Sequence, residues 1–474
     1  METTSSPRRS AFTFSATSLV GYLMVVFMVA PVFAGETKRD NQVTFTKHVA
    51  PILQRSCESC HRPGGGAPMA LISYSDVRPW ARSIKNRTMA REMPPWFIDK
   101  NIGIQHFKDD PSLSDEEVGI IAAWVDDGAP QGNPADMPPP QQWTNVGWSF
   151  GEPDLVVSSP VGTVPANAAD WFGEWDPPTP TGLTNDRYIK AVEVKEVRVA
   201  GDMSVSKGTQ GQKGAGRADL NLWVVHHAVV TAATPEQAAE SNGPVAASED
   251  AFRLTWELGQ NTTVFPDAVG VPLPADSVIT FDSMHLHSIG EEVRARIDVA
   301  FQLHPEGYEP KYSQRSRAMS GSFDFALDIP SNDENVYRDG FYRLTEPGLL
   351  MTFEPHLHSS GTRMCVEALY PNNSREMLNC ADYDHNWVKV YVYEDDVAPL
   401  LPAGTVIHLM AWYDNSTTNR NVVDPRNWKG WGNRSIDDMF YNLPRFVPLT
   451  EEEFEAEVAA RGGAPAFAAS QDQQ

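Results

Sequence analysis

The sequence predicts a multidomain chain: a mainly α N-terminal domain followed by two antiparallel β-sandwich domains. Three observations predict it. The chain has 474 residues, more than a single hydrophobic core usually organises. Helical patterning is confined to residues 41–130. Past a proline-rich stretch, short β-branched runs follow one another, separated by Gly, Pro, Asn and Asp clusters, the pattern of antiparallel sheets.

At the N-terminus, Arg8 and Arg9 precede an apolar run over 19–33, and Val32 and Ala34 stand at the −3 and −1 positions of a small-residue cleavage site. Residues 1–34 therefore read as a secretory signal peptide. The alternative is an uncleaved anchor. No later segment reaches the length of a membrane span, so the rest is expected in the periplasm or secreted, away from the membrane once the signal is cleaved. The formal charge is −24; Arg8, Arg9 and Glu2 contribute +1 over residues 1–34, so a chain starting at Gly35 carries −25. That balance excludes nucleic acid as a partner of the bulk field.

Residues 35–130 form the α domain. Thr46 is placed to cap a helix whose apolar positions Val49, Ile52 and Leu53 lead to Cys57. A second helix starts at Ser114 with Glu117 completing a capping box; Val118, Ile121, Trp124 and Val125 are its buried stripe, and Gly128 and Pro130 end it. Residues 131–144 are a linker, five prolines falling within 130–142. The first β domain, 145–308, holds the runs 155–157, 188–199, 220–230, 277–281 and 293–303. The second, 309–450, holds 322–327, 348–355, 363–370, 387–392 and 406–413, after a polar break near 306–320. Residues 451–474 are expected to be a partly disordered tail, Ala/Gly/Gln-rich from Ala459.

Two of the four cysteines lie in Cys57-Glu58-Ser59-Cys60-His61. Two thiols one helical turn apart can both reach the vinyl groups of one haem, and the next residue can ligate its iron. A redox dithiol or half a zinc site also uses Cys-x-x-Cys; the export signal, the following histidine and the helical flanks favour covalent haem c in a cytochrome c-like domain, with His61 as proximal ligand. For the sixth position Met69, Met89, Met93 and Met137 are candidates. Met93, in Glu92-Met93-Pro94-Pro95-Trp96, is favoured because the prolines hold an extended loop, and a thioether raises the haem potential.

The chain has twelve histidines, and outside this region they cluster. His226 and His227 are adjacent; His285 and His287, and His356 and His358, are His-x-His pairs. Residues two apart on a strand share a face, so each such pair can clamp one metal. Adjacent histidines face opposite ways, so His226 and His227 need a bulge to serve one ion. Imidazole-only ligand sets suit zinc or copper. His304, His385 and His408 read as surface or satisfied core residues.

Residues from about 150 to 450 resemble the copper type II, ascorbate-dependent monooxygenase family, whose members include peptidylglycine α-hydroxylating monooxygenase and dopamine β-monooxygenase. The resemblance implies two jelly-roll-like domains, each with one copper, separated by a solvent-filled cleft. It implies that His226, His227 and His285 bind an electron-transfer copper. It further implies that His356, His358 and Met439, the last in Ser435-Ile436-Asp437-Asp438-Met439, bind a catalytic copper. The stretch from Tyr413-Asp414-Asn415-Ser416 to Trp431-Gly432 is similar to bacterial members with a fused cytochrome. The peptide-amidating branch has an arginine where Glu354 stands and a tyrosine where Leu443 stands, so a glycine-extended peptide is not the expected substrate. Glu354 either meets an amine or faces solvent.

The expected function is an exported copper monooxygenase that hydroxylates a C–H bond of a small organic substrate with O2. Electrons come from ascorbate or a periplasmic redox protein through the fused haem. A non-catalytic haem/copper electron-transfer or copper-handling protein is the second expectation, and a structural β protein with incidental histidines the third. Cys365 and Cys380, close in sequence in an exported chain, are expected to form a disulfide across a hairpin; a thiolate copper site is the alternative.

Overall fold

The structure, a computed structural model, describes residues 42–62, 67, 69–141, 148–169, 171–199, 224–240, 251–257, 262–313, 315–316, 319–320 and 326–462. The expected signal peptide, part of the linker, residues 220–223 and 322–325 of two expected runs, and the tail from 463 lie outside the described residues. No helix among the described residues is long and apolar enough to cross a membrane.

The expectation of a mainly α cytochrome c domain is overturned. The protein is mostly sheet, 36% strand against 17% helix, and the N-terminal region, though its helices share a small core, contributes a strand to the second β unit. Its helical pieces are short: Phe45–Val49 running into Ala50–Ser56, Tyr74–Val77, Ala81–Met89 and Asp115–Asp126. Between the last two, strand Ile98–Gly103 leaves the helices and pairs antiparallel with Arg375–Asp382, with Ile98 opposite Ala381. Physically, the apolar residues Trp96, Ile98 and Phe107 of this Gly/Pro-broken segment bury their surface against the core of the second β unit, which a helix here could not reach. Trp96 packs edge-on against Tyr391 at 4.9 Å, and Phe107 stacks on Tyr393 at 5.2 Å. At Gly103 the backbone has φ +66° and a Cβ would fall 1.9 Å from the carbonyl oxygen of Leu378, so only glycine fits.

Local signals in this region do hold. Ser114 and Glu117 form the capping box, the Glu117 amide donating to Ser114 Oγ at 3.1 Å and the Ser114 amide to Glu117 at 2.8 Å. Trp124 and Ile121 are fully buried against Phe45, Val49 and Leu53. Thr46 is not a cap; it lies inside the first helical turn, and its hydroxyl donates to the Gln131 carbonyl at 3.1 Å.

Two β-sandwich-like units follow. In the first, one sheet orders Pro272–Leu273, Arg187–Arg198, Val293–Leu303 and Leu155–Ser158, and the other orders Trp171–Gly173, Val278–Leu286, Val225–Ala233 and Arg253–Glu257. Their inward residues, among them Val192, Val194, Val230, Phe281 and Phe301, share one core, each buried side chain contributing roughly 1.5–3 kcal/mol. In the second, the main sheet orders Ile98–Gly103, Arg375–Asp382, Gly361–Leu369, Val406–Tyr413 and Val336–Arg343. It covers Phe353, Met364, Val366, Leu409 and Phe446. Cys365 and Cys380 are paired positions of adjacent strands and form a disulfide.

The junctions are packed rather than loose. Val269–Gly270 pairs in parallel with Tyr312–Ser313. The expected tail begins with a helix, Glu451–Ala460, capped by Thr450 with Glu453. Its Glu457 accepts from Lys311 and from the Tyr312 hydroxyl, each at 2.5 Å. The described residues from Val43 onward form one compact unit.

Candidate functional site

Strands Val225–Ala233 and Val278–Leu286 bring the first three histidines together. Pairing passes from His285–His227 to Leu286–Val225, so His226 is the extra residue of a β-bulge. A second irregularity lies between Asp282 and His285, where Ser283 has φ +46°. These distortions turn adjacent rings toward one point: the ligand atoms of His226, His227 and His285 lie within 4.8 Å of one another. The start of the strand is held by buried Glu196, which accepts from the Val224 and Val225 amides at 2.9 Å each. Phe172 stacks on His285 at 4.9 Å with an interplanar angle of 7°. His287 stands beside the group, its ring 6.2 Å from His226.

Burial pulls the His226 imidazole down to about 4, with the neighbouring His285 adding to it, and burial holds His227 well below the ordinary histidine range. These rings are neutral at pH 7, the form a metal needs. His226 Nδ1 has no hydrogen-bond partner, which fits a lone pair aimed at an ion. Three imidazoles converging on one point are a transition-metal ligand set.

The second centre is built from loops. His356, at the end of Pro355–His356, pairs with Tyr441, which brings Met439 alongside; His356 Nε2 lies 3.2 Å from Met439 Sδ. The rings of His356 and His358 are 5.4 Å apart. His358 Nδ1 is 3.0 Å from the Arg434 carbonyl; a carbonyl only accepts, so Nδ1 carries the proton and Nε2 is left with a lone pair. Asp438, fully buried, ties the loop together: it accepts from the amides of His358 at 2.9 Å, Ser360 at 3.1 Å and Met439 at 3.1 Å, and from the Ser360 hydroxyl. The Tyr413 hydroxyl donates to the Met439 carbonyl at 2.9 Å. Two imidazoles and a thioether form a soft set suited to Cu(I).

Three residues outside the expected ligand sets lie between the two centres, among them His385, expected as a surface or satisfied core residue but buried with neither ring nitrogen paired. Glu257, opposite His227 in the strand register, lies 2.5 Å from His356 Nδ1. Burial lowers the His356 imidazole, but the carboxylates around it, Glu257 first and then Glu354 and Asp438, together leave His356 raised. Ser435 Oγ lies 3.4 Å from His285 Nε2. His385 lies between the clusters, its ring 4.3 Å from His226 and 5.5 Å from His358. Nothing local marks these residues, because their roles come from long-range register and loop packing. The resemblance implies a solvent-filled cleft between two metals; here the His385 ring stands between the two sets. Glu354 does not face solvent. It is buried, burial pushes its carboxyl up to about 8, and Arg445 is the charge that opposes the rise.

In the Cys-x-x-Cys-His segment, Cys57 ends helix Ala50–Ser56, and the His61 amide donates to the Cys57 carbonyl at 2.8 Å. Burial pushes the Cys57 thiol up to about 12, unlike the low-pKa thiol of a dithiol redox enzyme. His61 Nδ1 lies 3.1 Å from the Met69 carbonyl, so it donates there and Nε2 keeps its lone pair. Met69 and Met137 pack against the helical core with Cys57; Met89 is exposed. Met93 is half-buried in the turn after Ala81–Met89, its amide 3.3 Å from the Arg87 carbonyl. Lys389 is buried, and burial lowers its amine to about 8.

No protein-family model and no curated protein matches the chain. Among solved structures, recombinant N-glycanase F (PNGase F) matches at 9% identity and a TM-score of 0.24, over 62% of this chain and 95% of its own. PNGase F, a glycosylasparaginase from Flavobacterium meningosepticum, matches at 9% identity and a TM-score of 0.22, over 60% and 94%. A T13 IBDV viral particle matches at 8% identity and a TM-score of 0.16, over 64% and 67%. At these scores the likenesses carry no argument.

Proposed function

We propose that the chain is an exported copper-dependent monooxygenase that hydroxylates a C–H bond of a small organic substrate with O2. The observation that carries this reading is the assembly of His356, His358 and Met439 beside the triad of His226, His227 and His285. The balanced reaction consumes the C–H compound, one O2, two electrons and two protons, and yields the alcohol and water. Copper supplies one-electron redox chemistry and O2 binding; haem c, on Cys57 and Cys60 with His61 and Met93 as proposed iron ligands, supplies a further one-electron centre. Ascorbate or a periplasmic redox protein is the proposed donor. The disulfide supports an oxidising compartment.

The chain's own residues have definable tasks. Asp438 fixes the loop that presents His358 and Met439. Arg434 sets the His358 tautomer through its carbonyl. Glu257 holds a proton at His356 Nδ1, which directs Nε2 toward the thioether side. Phe172 keeps His285 in one plane.

The test is single-turnover chemistry. Copper-loaded protein is reduced anaerobically, exposed to O2 with a panel of small organic compounds, and products are sought by mass at +16. Met439→Ala is expected to abolish substrate-coupled O2 consumption while haem reduction persists. A wild-type protein that binds two coppers, is reduced and oxidised normally, and hydroxylates nothing would favour the second reading, a haem/copper electron-transfer or copper-handling protein. One observation favours that reading: the two centres are in ring contact through His385.

A further inference from the structure

The loop that carries His385 is pinned by Asp384, whose carboxylate accepts from the Asn386 amide at 3.0 Å and from Arg420 at 2.9 Å; the Asp384 carbonyl accepts from the Trp387 amide at 2.8 Å. This holds the His385 ring in the interior, 8% exposed. Neither ring nitrogen has a hydrogen-bond partner. A neutral imidazole has one N–H and one lone pair, and burying both without partners is unfavourable. Core histidines satisfy at least one of them, so this ring requires another explanation.

Its surroundings supply one. The His385 carbonyl accepts from His226 Nε2 at 3.2 Å, which leaves His226 Nδ1, also without a partner, as that ring's ligand atom. The rings run without a break from His227 to His285 at 5.3 Å, to His226 at 5.2 Å, to His385 at 4.3 Å, to His358 at 5.5 Å and to His356 at 5.4 Å. His385 is the fourth of the six, between the two groups, and belongs to neither of the expected ligand sets.

We propose that His385 is itself a metal ligand, reaching an ion by a turn of its ring, since the ligand atoms already within 4.8 Å of one another are those of His226, His227 and His285. The proposal rests on the copper reading above. It changes the ligand set from five imidazoles and a thioether to six imidazoles and a thioether for two ions.

The test uses the full chain loaded with copper, with X-ray absorption and pulsed EPR counting imidazoles, and chelator competition measuring Cu(I) affinity. The wild type is expected to show six imidazoles over two ions. His385→Phe, which fills the space without a nitrogen, is expected to lose one imidazole and to weaken one equivalent of copper by about 10–100-fold, the range seen when a metal's supporting residues are removed. Five imidazoles over two ions in the wild type, or unchanged affinity in the variant, overturns the proposal and leaves the copper reading standing. A wild type that binds no copper overturns both. If His385→Phe does not fold, the wild-type imidazole count alone decides.

Discussion

The triad and the His356–Met439 centre use similar side chains but are positioned by different means. In the triad, the backbone ladder does the work: two paired strands, one bulge at His226 and one at Ser283 aim three rings. In the second centre, a single buried carboxylate, Asp438, gathers two separate loops. A strand-built site spreads its geometry over many backbone hydrogen bonds, so no single side chain outside the ligands is decisive. A loop-built site concentrates it in one residue. Asp438→Ala should therefore be the most damaging change. It leaves the amides of His358, Ser360 and Met439 buried without an acceptor, a loss of about 4 kcal/mol from several donors at roughly 1–3 kcal/mol each. Copper content should fall by one equivalent of two, with the triad's equivalent retained. Denaturant unfolding and metal analysis read both; equal loss from both centres would break the comparison.

The centres also differ in their response to acid. The folded-state imidazole of His226 is depressed to about 4, below its unfolded value. The unfolded chain then binds more protons between that value and about 6.5, so metal-free protein loses stability as pH falls through this window, by up to roughly 3 kcal/mol for this one group. His227, His358 and His385 are depressed in the same direction by burial. His356 has the opposite sign. Its folded value is raised by Glu257, so its contribution is fully present below the unfolded value and is lost as pH rises through the folded one. Urea midpoints of the metal-free protein at pH 7.5 and 5 should show the difference. His226→Gln should flatten the acid loss, and His356→Gln should steepen it. An acid loss that both variants leave untouched would sink this account of the two centres.

The same contrast explains what was legible in the sequence. His226 next to His227 required a bulge, and the pairing with His285 supplies it; that requirement follows from strand periodicity alone. The His356-x-His358 spacing and the position of Met439 were readable as a motif. Asp438 was visible only as a neighbour of Met439, because its three amide donors lie some eighty residues upstream or depend on the loop's turn. Glu257 and His385 carried no local signal: one meets His356 from the facing unit, and the other sits on a turn that resembles a surface loop. The mainly α expectation failed for a similar reason. The Ser114–Glu117 capping box was real, but Ile98–Gly103 takes its partner from Arg375–Asp382, nearly three hundred residues on.

The smallest expected effect tests whether the two centres are separable at all. Ser435 belongs to the loop that ends in Met439, yet its hydroxyl meets His285 of the triad at 3.4 Å. Ser435→Ala removes one hydrogen bond worth roughly 0.5–1.5 kcal/mol, or about fivefold in the affinity of one copper. If strand pairing alone aims the triad, the loss should stay within that size and appear only in the triad's equivalent, because Asp438 still holds Met439. If copper weakens equally at both centres, the loop and the strands form a single mechanical unit. Stepwise Cu(I) competition on the variant separates the two cases. The second outcome would also place Ser435, with Glu257 and His385, among the residues that hold two ligand sets in one arrangement.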